Sequence, residues 1–203
     1  MSHKSGFVNI IGNPNVGKST LMNTIIGEKL SIITNKAQTT RHRILGILNN
    51  DKYQIVFSDT PGILDPSYKL QENMMNVVKS SFEDADILIY IVEIKERIIK
   101  HSWILEKIKK CSIPVILLIN KIDLAKQEEV KNKITNWNKN LPNAAILPIS
   151  ALNKFNIDLV LKKVIELLPE NKPYYEKDTI TDKSERFFVE EIIREKILKH
   201  YKK

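Results

Sequence analysis

Cysteine is almost absent from this 203-residue sequence, in which Cys111 stands alone. A single cysteine excludes an intramolecular disulfide, which suits a reducing cytoplasm, and we interpret Cys111 as a small buried side chain rather than a redox group. Long hydrophobic runs are also missing. Residues 113–119 form one of the longest, which is far too short to cross a bilayer. The N-terminus has no apolar segment with a small-residue cleavage site, so we expect no secretory signal and a cytoplasmic location.

What the sequence does contain is enough apolar material for a packed core and an excess of positive charge. Hydrophobic residues make up 42% of the chain and charged residues 28%, which suits one domain of ordinary size plus an extension. The net charge of +8 fits a polyanionic partner, either RNA or the anionic inner face of the cell membrane. The alternative is that many lysines simply cover solvated faces, and composition does not distinguish the two.

Apolar runs alternate with amphipathic stretches up to about residue 168, a pattern typical of an α/β fold with helices on both faces of a sheet. The predicted strands cover residues 6–11, 43–49, 53–58, 87–93, 114–120 and 144–149, and the predicted helices cover 18–27, 70–82, 98–111, 126–139 and 154–168. Only a short turn separates the second and third strands, so we expect them to form a hairpin. The prediction is a six-stranded, mostly parallel sheet with one antiparallel edge strand.

Two prolines, Pro169 and Pro173, end this alternating region and begin a polar stretch. We therefore predict a first domain at 1–170, a linker at 171–185 and an amphipathic helix at 186–203. A single amphipathic helix cannot bury its own apolar stripe, so it either packs on the first domain or begins a second one. The predicted stripe consists of Phe188, Ile192, Glu195 and Lys199, flanked by Val189, Ile193, Lys196 and Ile197.

The sequence GNPNVGKS begins at Gly12, between an apolar strand pattern at residues 7–11 and a helical pattern. This is the G-x-x-x-x-G-K-S context of a phosphate-binding P-loop. Backbone N–H groups and the positive end of the following helix attract phosphates, and Gly12 and Gly17 permit close approach. Lys18 is expected to reach the β- and γ-phosphates, and the Ser19 hydroxyl to ligate Mg²⁺. The predicted phosphate-binding residues are Asn13, Pro14, Asn15, Val16, Gly17, Lys18, Ser19 and Thr20.

A second motif, DTPG, follows the third predicted strand at residues 59–62. In isolation it would be a simple turn, but the P-loop upstream favours a nucleotide site. Asp59 lies at a strand end, where a carboxylate can hold Mg²⁺, usually through a water. Gly62 can bring a backbone N–H to the γ-phosphate, so the segment after it can sense whether that phosphate is present.

A third motif, NKID, closes the fifth predicted strand at residues 120–123. Asp123 can accept hydrogen bonds from N1–H and the 2-amino group of guanine, and adenine lacks both donors, so the motif favours GTP over ATP. Asn120 can bond the guanine edge and tie this loop to the P-loop, while the Lys121 stem can lie over the base. The sixth predicted strand ends in the last candidate residues for the base: Ser150, Ala151, whose N–H could donate to guanine O6, and Leu152.

The order of these motifs resembles that of translation-factor-class small GTPases, and the neighbouring residues make the resemblance specific. KAQTTRHRI at residues 36–44 and FSDTPGI at 57–63 resemble the bacterial Era GTPase family. ERFFVEEIIREK at residues 185–196 resembles the opening of the C-terminal KH domain of that family. The resemblance covers nearly the whole chain. It implies a monomeric switch that binds and hydrolyses GTP and acts on 16S ribosomal RNA in maturation of the small (30S) ribosomal subunit.

The resemblance also implies roles for individual residues. Lys18, Thr40 and Gly62 are expected to be catalytic, with Thr40 as the Mg²⁺-ligating hydroxyl and Thr39 as its competitor. In Ras-like proteins a glutamine just after the D-x-x-G motif orients the attacking water, but Ile63 stands here and cannot hydrogen-bond, so we expect slow hydrolysis. The resemblance suggests K⁺ as a second cation with Asn15 as its ligand. The alternative is that Asn15 is an ordinary turn residue.

The sequence departs from the family pattern at its C-terminal end. A KH domain needs a G-x-x-G loop, but the sequence has no glycine after residue 170 and stops at Lys203. We therefore expect a truncated KH domain without its RNA clamp. One alternative is a nucleotide-gated module that docks on RNA or membrane with negligible turnover. Another is the G domain of a ferrous-iron transporter or a tRNA-modifying GTPase, which the absence of long apolar spans and the early P-loop disfavour.

Overall fold

The computed structural model describes residues 3–36, 38–96 and 102–201. Its strands are β1 (Lys4–Ile11), β2 (Ile44–Asn49), β3 (Tyr53–Asp59), β4 (Ile87–Glu93), β5 (Val115–Asn120) and β6 (Ala145–Pro148). Its helices are α1 (Lys18–Ile26), α2 (Lys69–Ser80), α3 (Ser102–Lys110), α4 (Gln127–Asn140), α5 (Ile157–Leu167) and α6 (Glu185–His200), and a short 3₁₀ helix, Ile122–Leu124, follows β5.

The predicted elements are confirmed, with differences at their ends that have local causes. Residues 98–101 of the third predicted helix, and the last two residues of the predicted C-terminal helix, lie outside the described residues. The predicted start of α5 at residue 154 is wrong, because Lys154 and Asn156 have left-handed backbones, with φ of 57° and 60°. A right-handed helix cannot pass through such residues, so α5 begins at Ile157.

The sheet has the strand order β2-β3-β1-β4-β5-β6. β2 is antiparallel to β3, and every other neighbouring pair is parallel, which confirms the predicted hairpin and edge strand. β4 and β5 are almost continuously apolar because helices cover both faces of the sheet. The carboxyl ends of the parallel strands meet at one edge, where ligands bind in folds of this kind.

The core lies in two layers, one on each face of the sheet. On one face α1 and α5 pack through Leu21, Met22, Val160 and Val164, all buried. On the other face α2, α3 and α4 contribute Met74, Val78, Ile104 and Trp137. Full burial of one such side chain stabilises the fold by about 1.5–3 kcal/mol. This two-sided packing holds the strand ends in fixed positions around the site.

Residues 171–184, which we name the edge segment, contain no helix or strand, as expected of the predicted linker. They nevertheless lie along the outer edge of β2. The Ile47 amide donates to the Ile180 carbonyl at 2.9 Å, and Thr181 Oγ1 donates to the Leu45 carbonyl at 2.8 Å. The segment therefore covers an edge that would otherwise present unpaired backbone groups.

Helix α6 packs back on the sheet domain. Ser184 caps its first turn by accepting a hydrogen bond from the Phe187 amide at 3.4 Å. Phe187 and Phe188 pack at the margin of the core, but the predicted apolar stripe does not form the rest of the contact. Ile192 is 49% exposed and Ile193 55%, whereas the carboxylate-bearing Glu191 and Glu195 are buried. The inward face of α6 is therefore largely polar, and an apolar face is left outward.

Among the helices within the described ranges, none has the length and apolar character needed to cross a membrane.

Candidate nucleotide-binding site

The P-loop connects β1 to α1 at the carboxyl edge of the sheet, beside the ends of β3, β5 and β6. Gly17 precedes α1 with φ of 104°, a backbone conformation that favours glycine. A Cβ at this position would also collide with Nδ2 of Asn120, the last residue of β5. The second glycine of the motif is thus required both by its own turn and by its close neighbour.

Lys18 lies deep in the loop, and its Nζ donates to two P-loop carbonyls, Gly12 O at 3.0 Å and Asn13 O at 2.9 Å. Burial lowers the pKa of Lys18 to about 8, and the carboxylates of Asp59 and Glu96 limit the decrease. An ammonium held in this position can neutralise phosphate oxygens bound over the loop.

Three oxygen-bearing side chains from different elements meet beside the P-loop. Ser19 Oγ donates to Asp59 Oδ2 at 2.6 Å and lies 3.1 Å from Thr40 Oγ1, which in turn donates to Asp59 Oδ2 at 3.4 Å. Of the two threonines considered as the hydroxyl ligand, Thr40 is therefore the one beside Ser19 and Asp59. Thr39 Oγ1 instead contacts Thr34 Oγ1 at 2.6 Å, within the loop that joins α1 to β2.

The second oxygen of this carboxylate supports a cation site. Asp59 is fully buried, and its Oδ1 has no hydrogen-bond partner of normal geometry among the described residues. Burial raises the pKa of the Asp59 carboxyl, while the hydrogen bond from Ser19 and the charge of Lys18 oppose the shift. A buried carboxylate with a spare oxygen, next to two hydroxyls, is a donor set that suits Mg²⁺.

Gly62 brings the segment after β3 against the P-loop. A Cβ at Gly62 would lie 2.8 Å from Pro14 Cα, a backbone atom that cannot move aside easily. The next amide, that of Ile63, donates to the Gly12 carbonyl at 3.1 Å. The Ile63 side chain is buried in the core under α2, so it packs rather than facing the cavity.

Asn120 joins three loops through both ends of its amide. Its Nδ2 donates to the Val16 carbonyl of the P-loop at 2.7 Å, and its Oδ1 accepts from the Ala151 amide at 2.9 Å. The expected tie to the P-loop is present. The Ala151 amide, however, which we expected to donate to the base, is used inside the protein. Asn120 thus shapes the site by linking Val16 and Ala151, and we call these three residues the brace.

The residues that follow β5 form the rim where a base would lie. Lys121 has φ of 63°, and its Nζ is held by Glu93 at 2.9 Å. Asp123 lies on the 3₁₀ helix with its side chain exposed at the cavity. Leu152 is 78% exposed and lines the same cavity, so it offers apolar surface to a flat ring.

These elements enclose one cavity of about 360 Å³. Most of the predicted site residues line it: Pro14, Asn15, Gly17, Lys18, Ser19, Thr20, Thr40, Gly62, Asn120, Lys121, Asp123, Ser150, Ala151 and Leu152. Three predicted residues do not. Asn13 bonds the side chain of Glu96, Val16 is buried in the core, and Asp59 lies beneath the lining.

Sequence reasoning missed part of the wall. Residues 30–43, which we name the effector loop, contribute Ile32, Ile33, Thr34, Asn35, Lys36 and Thr39 to the cavity lining, and Leu124 adds a further apolar surface. The signal available was the pair of isoleucines in an otherwise polar loop. Ile32 is buried in the protein, whereas Ile33 is 40% exposed. Only Ile33 therefore leaves much of its side chain open to the cavity.

Asn15 has a left-handed backbone, with φ of 63°, and its Nδ2 donates to the Asn35 carbonyl of the effector loop at 2.8 Å. Asparagine tolerates this conformation better than most residues. The turn role considered for Asn15 is therefore present, together with a contact to the effector loop.

Comparison with known proteins identifies the family. Residues 7–121 match the family model described as 50S ribosome-binding GTPase. GTPase Era of Clostridium kluyveri is 47% identical over 197 residues, a match that covers 97% of this chain and 67% of the relative. GTPase Era of Alkaliphilus metalliredigens is 45% identical, with 99% and 68% covered. The chain thus spans about two thirds of the length of these relatives.

Comparison with solved structures supports the same family. A crystal structure of Era in complex with MgGDPNP and nucleotides 1506–1542 of 16S ribosomal RNA matches with a TM-score of 0.94 at 40% identity, over 99% of this chain and 69% of that one. The FeoB G-domain of Methanococcus jannaschii matches with a TM-score of 0.61 at 23% identity, over 81% and 97%, and shows the fold alone. With the motifs gathered at one cavity and these matches over nearly its full length, the chain belongs to the Era family of GTPases.

Proposed function

We propose that this GTPase is a slowly hydrolysing switch in assembly of the small (30S) ribosomal subunit and maturation of 16S rRNA in the cytoplasm. The observation that carries the proposal is the meeting of Ser19, Thr40 and Asp59 beside the P-loop. Thr40 belongs to the effector loop, so a nucleotide-bound cation at this point would fix a segment that a partner can read.

Phosphoryl transfer to water depends on positioning and charge neutralisation more than on covalent chemistry. In this proposal Ser19, Thr40 and Asp59 would hold Mg²⁺, and the bound ion would neutralise charge on the phosphate oxygens. Lys18 supplies a second positive charge from within the loop. The Gly62 amide faces the γ-phosphate, and its closeness to Pro14 keeps it there.

Guanine selection falls to Asp123, whose carboxylate accepts from N1–H and the 2-amino group. Lys121, anchored by Glu93, and Leu152 flank the base, while Asn120 keeps the loops together. A bound base would cover the Asp123 carboxylate, and adenine would leave that covered acceptor unpaired, which is the source of discrimination.

Hydrolysis is slow in this proposal because no side chain next to Gly62 can orient a water. Ile63 is buried and apolar, so the water is held by backbone groups, a partner or a second cation. Asn15 would hold K⁺ as that cation, beside the phosphates. The contact between Asn15 and the effector loop supports this position, because it lies where loop and P-loop meet.

We also propose that residues 1–170 form the G domain, 171–185 a linker and 186–203 the first helix of a KH-type RNA-binding domain. Two features support this division. The outward side of α6 carries exposed Val189, Ile193 and Ile197, a surface that suits further packing, and the solved Era relative contains an RNA segment.

The nucleotide half of the proposal is tested by single-turnover phosphate release from GTP and ATP, with Mg²⁺ and either K⁺ or Na⁺. We expect release from GTP alone, faster in K⁺ than in Na⁺. Equal release from ATP would contradict guanine selection, and equal rates in both salts would remove Asn15 as a K⁺ ligand.

The ribosomal half is tested by fluorescence anisotropy with RNA copying nucleotides 1506–1542 of 16S rRNA, with a GTP analogue and with GDP at two salt concentrations. Sequence-dependent binding that differs between the two nucleotides supports the proposal. Binding that is equal for a scrambled RNA and falls steeply with salt would reduce it to non-specific charge attraction.

A further inference from the structure

Helix α6 touches the effector loop through two consecutive residues. Arg194 Nη2 donates to the Thr39 carbonyl at 2.5 Å, and Glu195 Oε1 accepts from the Ile33 amide at 3.3 Å. Both contacts reach backbone atoms of the loop, so they fix its path rather than a side-chain rotamer. The loop is thus held by the same helix near its beginning and near its end.

Arg194 is itself held rigidly. Its guanidinium makes two hydrogen bonds to Glu191, Nε to Oε1 at 2.8 Å and Nη2 to Oε2 at 2.5 Å. The side chains are only 18% and 11% exposed. A bidentate pair fixes the plane of the guanidinium and aims the remaining donors. Such a geometry can orient a neighbouring group, whereas a flexible surface arginine cannot.

Glu195 provides the second point of attachment. Its side chain is 2% exposed, and it accepts from Lys29 at 2.6 Å and Lys199 at 2.9 Å. Lys29 lies directly before the effector loop, so this carboxylate joins α6, the segment after α1 and the loop itself. A buried carboxylate with two cations and one amide is fully satisfied, which makes α6 a firm base for Arg194.

The contact with Thr39 bears directly on the next residue. The carbonyl of Thr39 and the amide of Thr40 belong to one planar peptide unit. Holding the oxygen therefore limits where the Thr40 Cα and its hydroxyl can lie. That hydroxyl is the one found 3.1 Å from Ser19 Oγ and 3.4 Å from Asp59 Oδ2.

We propose that Arg194 is a positioning residue that holds the Thr39–Thr40 peptide so that the Thr40 hydroxyl faces Ser19 and Asp59. The inference rests on the proposed function, because it takes Thr40 as a Mg²⁺ ligand in the triphosphate form. It adds that the Thr40 hydroxyl is positioned by α6, a helix that lies beyond the six-stranded domain in the sequence. The same contact favours triphosphate over diphosphate, since only the triphosphate form uses the Thr40 hydroxyl.

The test compares Arg194→Met with Arg186→Met in the full 203-residue chain. Arg186 is the matched control, because it lies on the same helix and pairs with a glutamate at 3.0 Å but is 88% exposed. The affinities of fluorescent GMPPNP and GDP are measured with saturating Mg²⁺ and again in EDTA. For Arg194→Met we expect about tenfold weaker GMPPNP binding, the effect of one lost charge-assisted hydrogen bond. We expect little change for GDP, no difference from wild type in EDTA, and no effect of Arg186→Met.

Equal losses for GMPPNP and GDP would reduce Arg194 to a purely structural role, and no loss for either would remove it from the site. If Arg194→Met shows no cooperative thermal unfolding, Arg194→Lys decides by the same criterion. It keeps a charge for Glu191 but lacks the planar fork that reaches Thr39.

Thr40→Val separates this inference from the proposed function on which it rests. If Thr40→Val leaves the preference for GMPPNP over GDP intact, Thr40 is not the ligand and the proposed site fails with the inference. If Thr40→Val removes the preference and Arg194→Met does not, only the inference fails. In the double variant we expect no loss beyond that of Thr40→Val, because both changes act on one hydroxyl. Additive losses would show that Arg194 acts elsewhere.

Discussion

At the scale of residues, the site is built by backbone contacts as much as by the side chains of the motifs. Both ends of the Asn120 side-chain amide are hydrogen-bonded, to the Val16 carbonyl and the Ala151 amide. The Lys18 ammonium donates two hydrogen bonds to carbonyls of its own loop. Asp123 differs, since its carboxylate is exposed at the cavity rim. Among the NKID residues, Asp123 is therefore the one whose chemistry can be altered without disturbing the brace.

We predict that Asp123→Asn weakens GTP binding by about 100-fold or more, because the amide nitrogen cannot accept from the 2-amino group and the remaining bond from N1–H loses its charged acceptor. The variant should gain affinity for xanthosine triphosphate, which carries an oxygen where guanine carries its amino group, and the new amide can donate to it. Equilibrium binding of both nucleotides checks this. The control is Asp158→Asn, an exposed carboxylate on the first turn of α5 outside the cavity lining. Unchanged GTP affinity in Asp123→Asn would contradict the assignment.

At the scale of elements, the strands and turns beside the motifs could be predicted more fully than the packing of α6. The P-loop and DTPG motifs are local, so their strands and turns follow from neighbouring residues. The inward face of α6 could not be read in this way. Glu191 and Glu195 look like solvated residues in the sequence and are buried only because Arg194, Lys29 and Lys199 meet them. The groups of the effector loop that α6 contacts, the Ile33 amide and the Thr39 carbonyl, are far away in the chain, and apolar periodicity carries no information about them.

The buried carboxylate on α6 gives a pH dependence. Burial alone would raise the pKa of Glu195, but hydrogen bonds from Lys29, Lys199 and the Ile33 amide outweigh it and lower the pKa from 4.5 to about 2. A carboxyl whose pKa is depressed by folding stabilises the protein above its unfolded pKa, and that stabilisation is lost as the pH falls towards the folded pKa.

We therefore predict that wild type exceeds Glu195→Gln in free energy of unfolding by a constant amount above about pH 4.5. The difference should shrink as the pH falls from there towards 2, and urea unfolding at several pH values measures it. Glu190→Gln, on the exposed side of the helix, should show no such trend. A difference that stays constant down to pH 2 would contradict the prediction.

At the scale of the whole molecule, the fold could be predicted because the sheet follows from alternating elements and one short turn. The edge segment was predicted only as a linker, because its hydrogen bonds to β2 join groups that are distant in the sequence and leave no mark in composition. β6 is only partly buried and has β5 as its single neighbour, while β1 is flanked on both sides. The stability of the sheet should differ accordingly across its width.

Hydrogen exchange should reveal that gradient. We predict the slowest exchange in β1, β4 and β5, whose amides open only with global unfolding, and faster exchange in β6. Mass spectrometry of peptides from each strand, at one pH and without nucleotide, measures the order. Exchange in β6 as slow as in β1 would show that the outer strand unfolds only together with the centre.

The path of the C-terminal region has a mechanical consequence. The edge segment is bonded side by side to β2, and β2 continues directly from the effector loop, on which α6 rests. A pull on the chain beyond α6 would first load the contacts of Arg194 and Glu195, and then the bonds along β2 in shear. Force from a bound partner would therefore arrive at both ends of the effector loop before it reached the rest of the sheet.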